Sequence, residues 1–167
     1  MGNATTKIRP ARLPADEAAI LSFINGLQDY EAAFEPDRRR DPDFAIQHWR
    51  DLQRRHAEKH GIILIAEDFV SGVGGRPAGW AFAYDETAEL FVVEPERRHG
   101  FVAELYVMPE VRGKGLGRAL IQGCEDWARG RGHKLLTVGV LAKNPSAIRA
   151  YEGAGYAPYW TTMRRYL

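Results

Sequence analysis

Apolar and polar positions along this chain follow two patterns in turn, helical spacing of about 3.6 residues and the alternating or continuous runs of strands. Residues 7–9 predict a short first strand. After Pro14, Ile20, Phe23, Ile24 and Leu27 recur at helical spacing and predict a helix that ends near Tyr30. Ala45, Trp49, Leu52 and His56 mark one face of a second helix, with Asp41-Pro42 as its cap and first-turn proline and Gly61 as its stop. Residues 62–67 are a continuous apolar run, the pattern of a strand buried on both faces. The glycines and proline of residues 71–77 then read as a hairpin connection into a strand over 78–85. Two further strands are expected over 88–93 and 101–108, around a polar turn at 94–100. Leu116, Leu120, Cys124 and Trp127 outline a long helix over 115–130, followed by a strand over 135–141, a short helix over 146–153 and a last strand over 159–166. Strands outnumber helices and hairpins mix with crossovers, so the fold class is α/β with a mixed sheet.

Composition narrows the class without naming a function. With 167 residues, 45% of them hydrophobic, and no shift in composition, the chain suits one domain over 1–167, residues 1–6 being a flexible terminus. A net charge of +1 leaves no global field to recruit nucleic acid or an anionic membrane. Arg38-Arg39-Arg40 and Arg97-Arg98 read as solvated loop clusters. No apolar segment reaches membrane-spanning length and the start lacks the apolar core of a signal peptide, so a cytoplasmic protein is expected. Cys124 is the only cysteine and lies on the apolar helix stripe, which makes it a packing residue. His48, His56, His60, His99 and His133 show no metal-ligand spacing and read as solvated, so no metal is expected.

The chemistry is concentrated in Arg112-Gly113-Lys114-Gly115-Leu116-Gly117, between an expected strand and an expected helix. A strand that turns through glycines into a helix N-terminus aims several unpaired backbone N–H groups at one spot, where an anion settles. A P-loop would need a hydroxyl after Lys114, where the chain has Gly115. A dinucleotide loop counted from Gly113 ends on Arg118, and counted from Gly115 on Leu120, so that spacing fails as well. What remains is Arg-x-x-Gly-x-Gly, preceded by Leu105-Tyr106-Val107-Met108-Pro109-Glu110 and followed by Asn144 and Tyr151-Glu152-x-x-Gly155-Tyr156. Over residues 101–156 this resembles the GCN5-related N-acetyltransferases, in which the glycine loop wraps the pyrophosphate of acetyl-CoA.

The resemblance implies a mixed, mostly antiparallel sheet of about six to seven strands with about four flanking helices, and two central parallel strands that splay apart. The pantetheine arm of acetyl-CoA would enter that gap beside Leu105, Tyr106 and Val107, with the Val107 N–H facing the thioester oxygen. Arg112, Gly113, Lys114, Gly115, Leu116, Gly117 and Arg118 would form the pyrophosphate cradle. Asn144 would contact the arm, cap the following helix, or do both. Tyr151 would stand beside the sulfur as general acid, with packing as the alternative. The glutamate that some relatives use as base falls here on Ala103; Glu104 is one residue later, and a strict period of two points it to the other sheet face. Glu104 is therefore a candidate base that the resemblance does not carry over cleanly.

Leu27-x-x-Tyr30-Glu31 resembles a Leu-x-x-Tyr-Glu pattern of polyamine and thialysine acetyltransferases and implies a cationic amine acceptor. Tyr30, Glu31, Phe34 and Glu35 would form an acidic, aromatic recess, with Trp80 and Tyr84 adding cation–π faces; a helix end covered by loop aromatics is the plainer alternative. Two readings stay open at this point. One is an N-acetyltransferase moving acetyl to a small primary amine in a ternary complex, or within the same chemistry to protein lysines or N-termini. The other is a noncatalytic acyl-CoA sensor or partner-binding module. An edge on the last strand could pair with a second copy in a homodimer.

Overall fold

The computed structural model describes residues 7–69 and 75–167. Its elements are β1 (Lys7–Pro10), α1 (Glu17–Ala32), α2 (Phe44–Glu58), β2 (Ile62–Asp68), β3 (Arg76–Thr87), β4 (Arg98–Val107), a 3-10 turn (Pro109–Val111), α3 (Leu116–Gly130), β5 (Leu136–Val138) and α4 (Pro145–Gly153). The strands form one sheet in the order β1-β2-β3-β4-β5, with β4 and β5 parallel and every other pair antiparallel. The expected α/β class and mostly antiparallel sheet are therefore present, with five strands in place of six or seven.

The continuous apolar runs follow from helices on both faces of the sheet. On one face Ile20, Phe23 and Ile24 of α1 and Trp49 and Leu52 of α2 pack on Ile63, Ile65, Trp80, Phe82 and Tyr84. On the other, Leu116, Leu120 and Cys124 of α3 pack on Leu64, Ala66, Ala81, Ala83 and Val102. β3 thus alternates large aromatics under α1 and α2 with alanines under α3, and the small side chains let α3 lie close to the sheet. A salt-bridged knot closes the β1 end. Arg9 holds Asp16 at 2.7 Å and Glu67 at 2.5 Å, all with little exposure. Asp16 also accepts the Arg12 N–H at 2.6 Å, and so fixes the turn into α1.

Several expected elements are absent. Residues 88–93 form no strand: Ala88 N–H closes the β3–β4 hairpin on Arg97 C=O at 2.8 Å, which leaves Leu90, Phe91 and Val93 in the loop and exposed. The apolar residues there have no helix to cover them, so alternation alone misleads. Residues 159–166 also form no strand, and the expected pairing edge for a second copy does not exist in that form. β5 spans only three residues of the expected 135–141. α2 begins at Phe44 rather than at Pro42, because Phe44 N–H bonds back to Asp41 C=O at 3.1 Å in a preceding turn. The expected terminus at residues 1–6, and most of the connection at 71–77, lie outside the described residues. Among the described residues no helix is long and apolar enough to cross a membrane.

Candidate active site

The site grows from the fork between β4 and β5. Their ladder runs only from Gly100–Leu136 to Val102–Val138, after which β4 continues to Val107 with no register partner on that edge. Met108 N–H donates to Ala78 C=O, toward β3. Strand alternation therefore turns the N–H groups of Leu105 and Val107 to the open edge. The side chains of both pack toward α3. The Tyr106 side chain faces α1 and lies so near Gly26 that a Cβ there would stand 2.5 Å from its hydroxyl. Of residues 105–107, the fork can use backbone groups alone.

A cleft at the fork is lined by Leu27 and Glu31 of α1, residues 102–105 of β4, residues 138–141 at and beyond the end of β5, and Asn144, Ala147 and Tyr151 around α4. Asn144 is buried and accepts the Ala147 N–H at 3.1 Å, with Pro145 in the first helical turn. This cap fixes the start of α4, and α4 in turn places Tyr151. Burial pushes the Tyr151 phenol up to about 12, with Cys124, Glu31 and Glu104 adding to the effect, so the hydroxyl keeps its proton at neutral pH.

Glu104 faces the cleft for a reason outside the sequence pattern. β3 and β4 slip register between Phe82–Glu104 and Ala83–Val102, leaving Ala103 without an opposite residue. This β-bulge breaks the period of two, so Ala103 packs toward α1 and α2 while Glu104, next in sequence, also turns that way. The expectation that Glu104 points to the opposite face is thereby corrected. Its Oε1 lies 2.7 Å from His48 Nε2 on α2. His48, read from sequence as solvated, is thus part of the site. Its position beside the stripe of Ala45, Trp49 and Leu52, on the rim of the buried face, is the one sequence feature that could have singled it out.

The glycine loop turns through left-handed backbone into α3. Gly113 and Gly115 take φ of +80° and +84°, and a Cβ at either would meet nothing within 4 Å. Backbone conformation, rather than crowding by protein atoms, demands glycine here. Gly115 caps α3 with no side-chain hydrogen bond, and Ala119 is the first residue whose N–H returns to it, at 3.0 Å. The first-turn N–H groups of Leu116, Gly117 and Arg118 therefore face outward from an open helix end. The nearby charges are held by protein. Arg112 Nε donates to Val107 C=O at 3.0 Å with its guanidinium 4.8 Å from the Tyr30 ring centroid, and Lys114 Nζ lies 3.3 Å from Asp68.

The expected amine recess is smaller than the sequence suggested. Trp80 is fully buried against Trp49, and Tyr84 lies in the same core, its hydroxyl accepting from Arg55 at 3.3 Å; neither lines the cleft. Both sit on the β3 face covered by α1 and α2, away from the substrate recess expected of them. Glu35 is engaged by Lys143 and Arg164. Tyr30 and Phe34 meet edge to face at 5.3 Å. Glu31 remains in the cleft, 3.7 Å from Arg38, its carboxyl raised above the usual range by burial and then, against the pull of Arg38, by the nearby Glu104.

A forked parallel pair beside a glycine-capped helix defines the class, and comparison with known proteins agrees. Residues 24–156 match the model of the acetyltransferase (GNAT) family. The chain is 32% identical over 150 residues to the L-amino acid N-acyltransferase MnaT of Escherichia coli, covering 89% of this chain and 78% of that protein. It is also 32% identical over 88 residues to the uncharacterized N-acetyltransferase MJ1207 of Methanocaldococcus jannaschii; this match covers 53% of the chain and only 38% of that longer relative. Its fold is similar to that of aminoglycoside N-acetyltransferase AAC(6')-Iy solved in complex with CoA, with a TM-score of 0.66 and 18% identity over 98% of this chain and 95% of that one. The chain belongs to the acetyltransferase (GNAT) family and is an N-acetyltransferase domain.

Proposed function

We propose that this domain acetylates a primary amine of a small cationic molecule, by direct attack within a ternary complex. The observation that carries the reading is the convergence of Glu31, Glu104 and Tyr151 on one cleft at the open edge of β4. The residues present fit the cofactor. Gly113 and Gly115 give the loop the left-handed turn that leads into an open helix end, the first turn of α3 offers unpaired N–H groups to a pyrophosphate, and the N–H groups of Leu105 and Val107 suit an extended amide-bearing arm. Arg112, Lys114 and Arg118 would add charge there, and Asn144 would border the arm. Bound acetyl-CoA supplies an acetyl group activated as a thioester.

The chain's own residues perform the rest. An alkylammonium of pKa about 10.4 costs roughly 4 to 5 kcal/mol to deprotonate at neutral pH, so the acceptor needs a base. Glu104 takes that proton, and Glu31 attracts the cation into the cleft. Val107 N–H stands at the open edge as the donor for the oxygen that gains charge on attack, an interaction worth about 3 kcal/mol where such donors are preorganised. Tyr151 holds a proton at Oη for the departing sulfur.

Among the described residues two carboxylates and no arginine or lysine line the cleft, which favours polyamine-like or aminoglycoside-like amines over an amino acid bearing a free carboxylate. The test is acetyl-CoA-dependent thiol release over a panel of polyamines, aminoglycosides, amino acids and lysine peptides. Turnover confined to cationic amines is the expected result. Turnover confined to amino acids would overturn the acceptor class, and heat stabilisation by acetyl-CoA with no turnover on any acceptor would favour a sensor.

A further inference from the structure

The bulge at Ala103 does more than bring Glu104 to the cleft, because it delivers the carboxylate to a ring already held in place. His48 lies one turn after Phe44 on α2, and the two rings stack at 5.3 Å with planes 15° apart. The Arg39 guanidinium stands 5.7 Å from the Phe44 ring centroid, and Arg39 is itself tied to Asp41. The imidazole plane is thus set by an aromatic neighbour on its own helix. Its Nε2 is directed at Glu104 Oε1, 2.7 Å away. Among the described residues Oε2 has no hydrogen-bond partner, and the Glu104 side chain is only 12% exposed against 29% for His48. Among the described residues the other ionisable groups lining the cleft with Glu104 are Glu31 from α1 and Tyr151 from α4, neither of which offers it a positive charge.

We propose that His48 is the positioning residue of the base, fixing Glu104 through Nε2–H so that Oε2 receives the proton of the acceptor ammonium. The proposal rests on reading Glu104 as that base. A carboxylate accepts hydrogen bonds and cannot donate them, so the contact requires the ring to carry its proton on Nε2. The ammonium N–H bond breaks, an O–H bond forms at Oε2, and the electron pair stays on nitrogen. Without the ring, Glu104 samples several rotamers in a cleft that also holds a second carboxylate, and productive alignment is lost.

Two measurements test this, one of them independent of turnover. Nitrogen-15 NMR at mildly alkaline pH should find the His48 ring protonated on Nε2, with a slowly exchanging N–H that disappears in Glu104→Ala. In kinetics, His48→Ala should lower kcat about tenfold or more at unchanged KM for acetyl-CoA, and His48→Gln, which restores an N–H donor, should recover most of it. The double variant His48→Ala/Glu104→Ala should be no slower than Glu104→Ala alone. A His48 ring protonated on Nδ1, or an N–H unchanged in Glu104→Ala, overturns the proposal while leaving the acetyltransferase reading intact. Full kcat in His48→Ala, or additive losses in the double variant, overturns it as well. Full turnover in Glu104→Ala with the N–H resonance intact in the wild type would instead sink the base reading, and the role of His48 with it.

Discussion

Along one edge β4 is paired with β3 from Gly79–Val107 to Thr87–Arg98, and along the other it meets β5 for three residue pairs before the strands part. The same ten residues thus serve two purposes. The β3 edge satisfies its backbone groups inside the sheet, with Trp80, Phe82 and Tyr84 buried beneath α1 and α2. The β5 edge leaves the N–H groups of Leu105 and Val107 without register partners and opens a cleft beside them. Unpaired backbone is costly inside a protein unless water or a ligand meets it, so such an edge is open to a bound molecule. The buried aromatics lie toward the β3 side of β4, and the cleft toward β5 and α4.

Breaking each side separately should separate the two roles. The largest effect is expected at the closed side. Arg9→Met removes the partner of two carboxylates that have little exposure, and should cost about 3 kcal/mol of stability, read as a lower midpoint in urea. The turnover of the protein that remains folded should be unchanged; a variant of normal stability but impaired catalysis would show that the knot communicates with the fork. At the open side, Tyr151→Phe should lower kcat about 100-fold while acetyl-CoA binding and melting temperature stay near wild type. A drop in stability instead would mean that the hydroxyl serves packing.

The smallest effect sharpens the comparison most. Glu31 has a carboxyl raised above the ordinary 4.5 by burial. Since its folded pKa lies above the unfolded one, its contribution to stability is fully present below the unfolded value and is lost as pH rises through the folded value. Glu31→Gln abolishes that loss. Its melting temperature should match wild type in acid and exceed it modestly at neutral pH, while the KM for a cationic amine rises. Melting curves that keep a constant offset across this window would show that Glu31 titrates alike in both states.

How much was legible in the sequence depended on whether a feature is local. The glycine loop could be read because left-handed backbone at Gly113 and Gly115 is written directly as residue type. Asn144 and Tyr151 could be placed because a cap and a residue seven positions on belong to one short helix. Residues 88–93 were misread because their apolar side chains look like a strand until the hairpin bond from Ala88 to Arg97 puts them in a loop. Trp80 and Tyr84 were assigned to substrate because an aromatic residue carries no label for which side of a sheet its helices will cover.

By itself the sequence determined the elements whose cause lies within a few residues: the two amphipathic helices before β2, the buried strand β2, the glycine turn into α3, and the cap and tyrosine of α4. Only the tertiary structure decided the facing of Glu104, its pairing with His48 56 positions earlier, and the length of the open edge on β4. These depend on the register between strands, where a single unpaired residue at Ala103 reverses the face that every local period would assign.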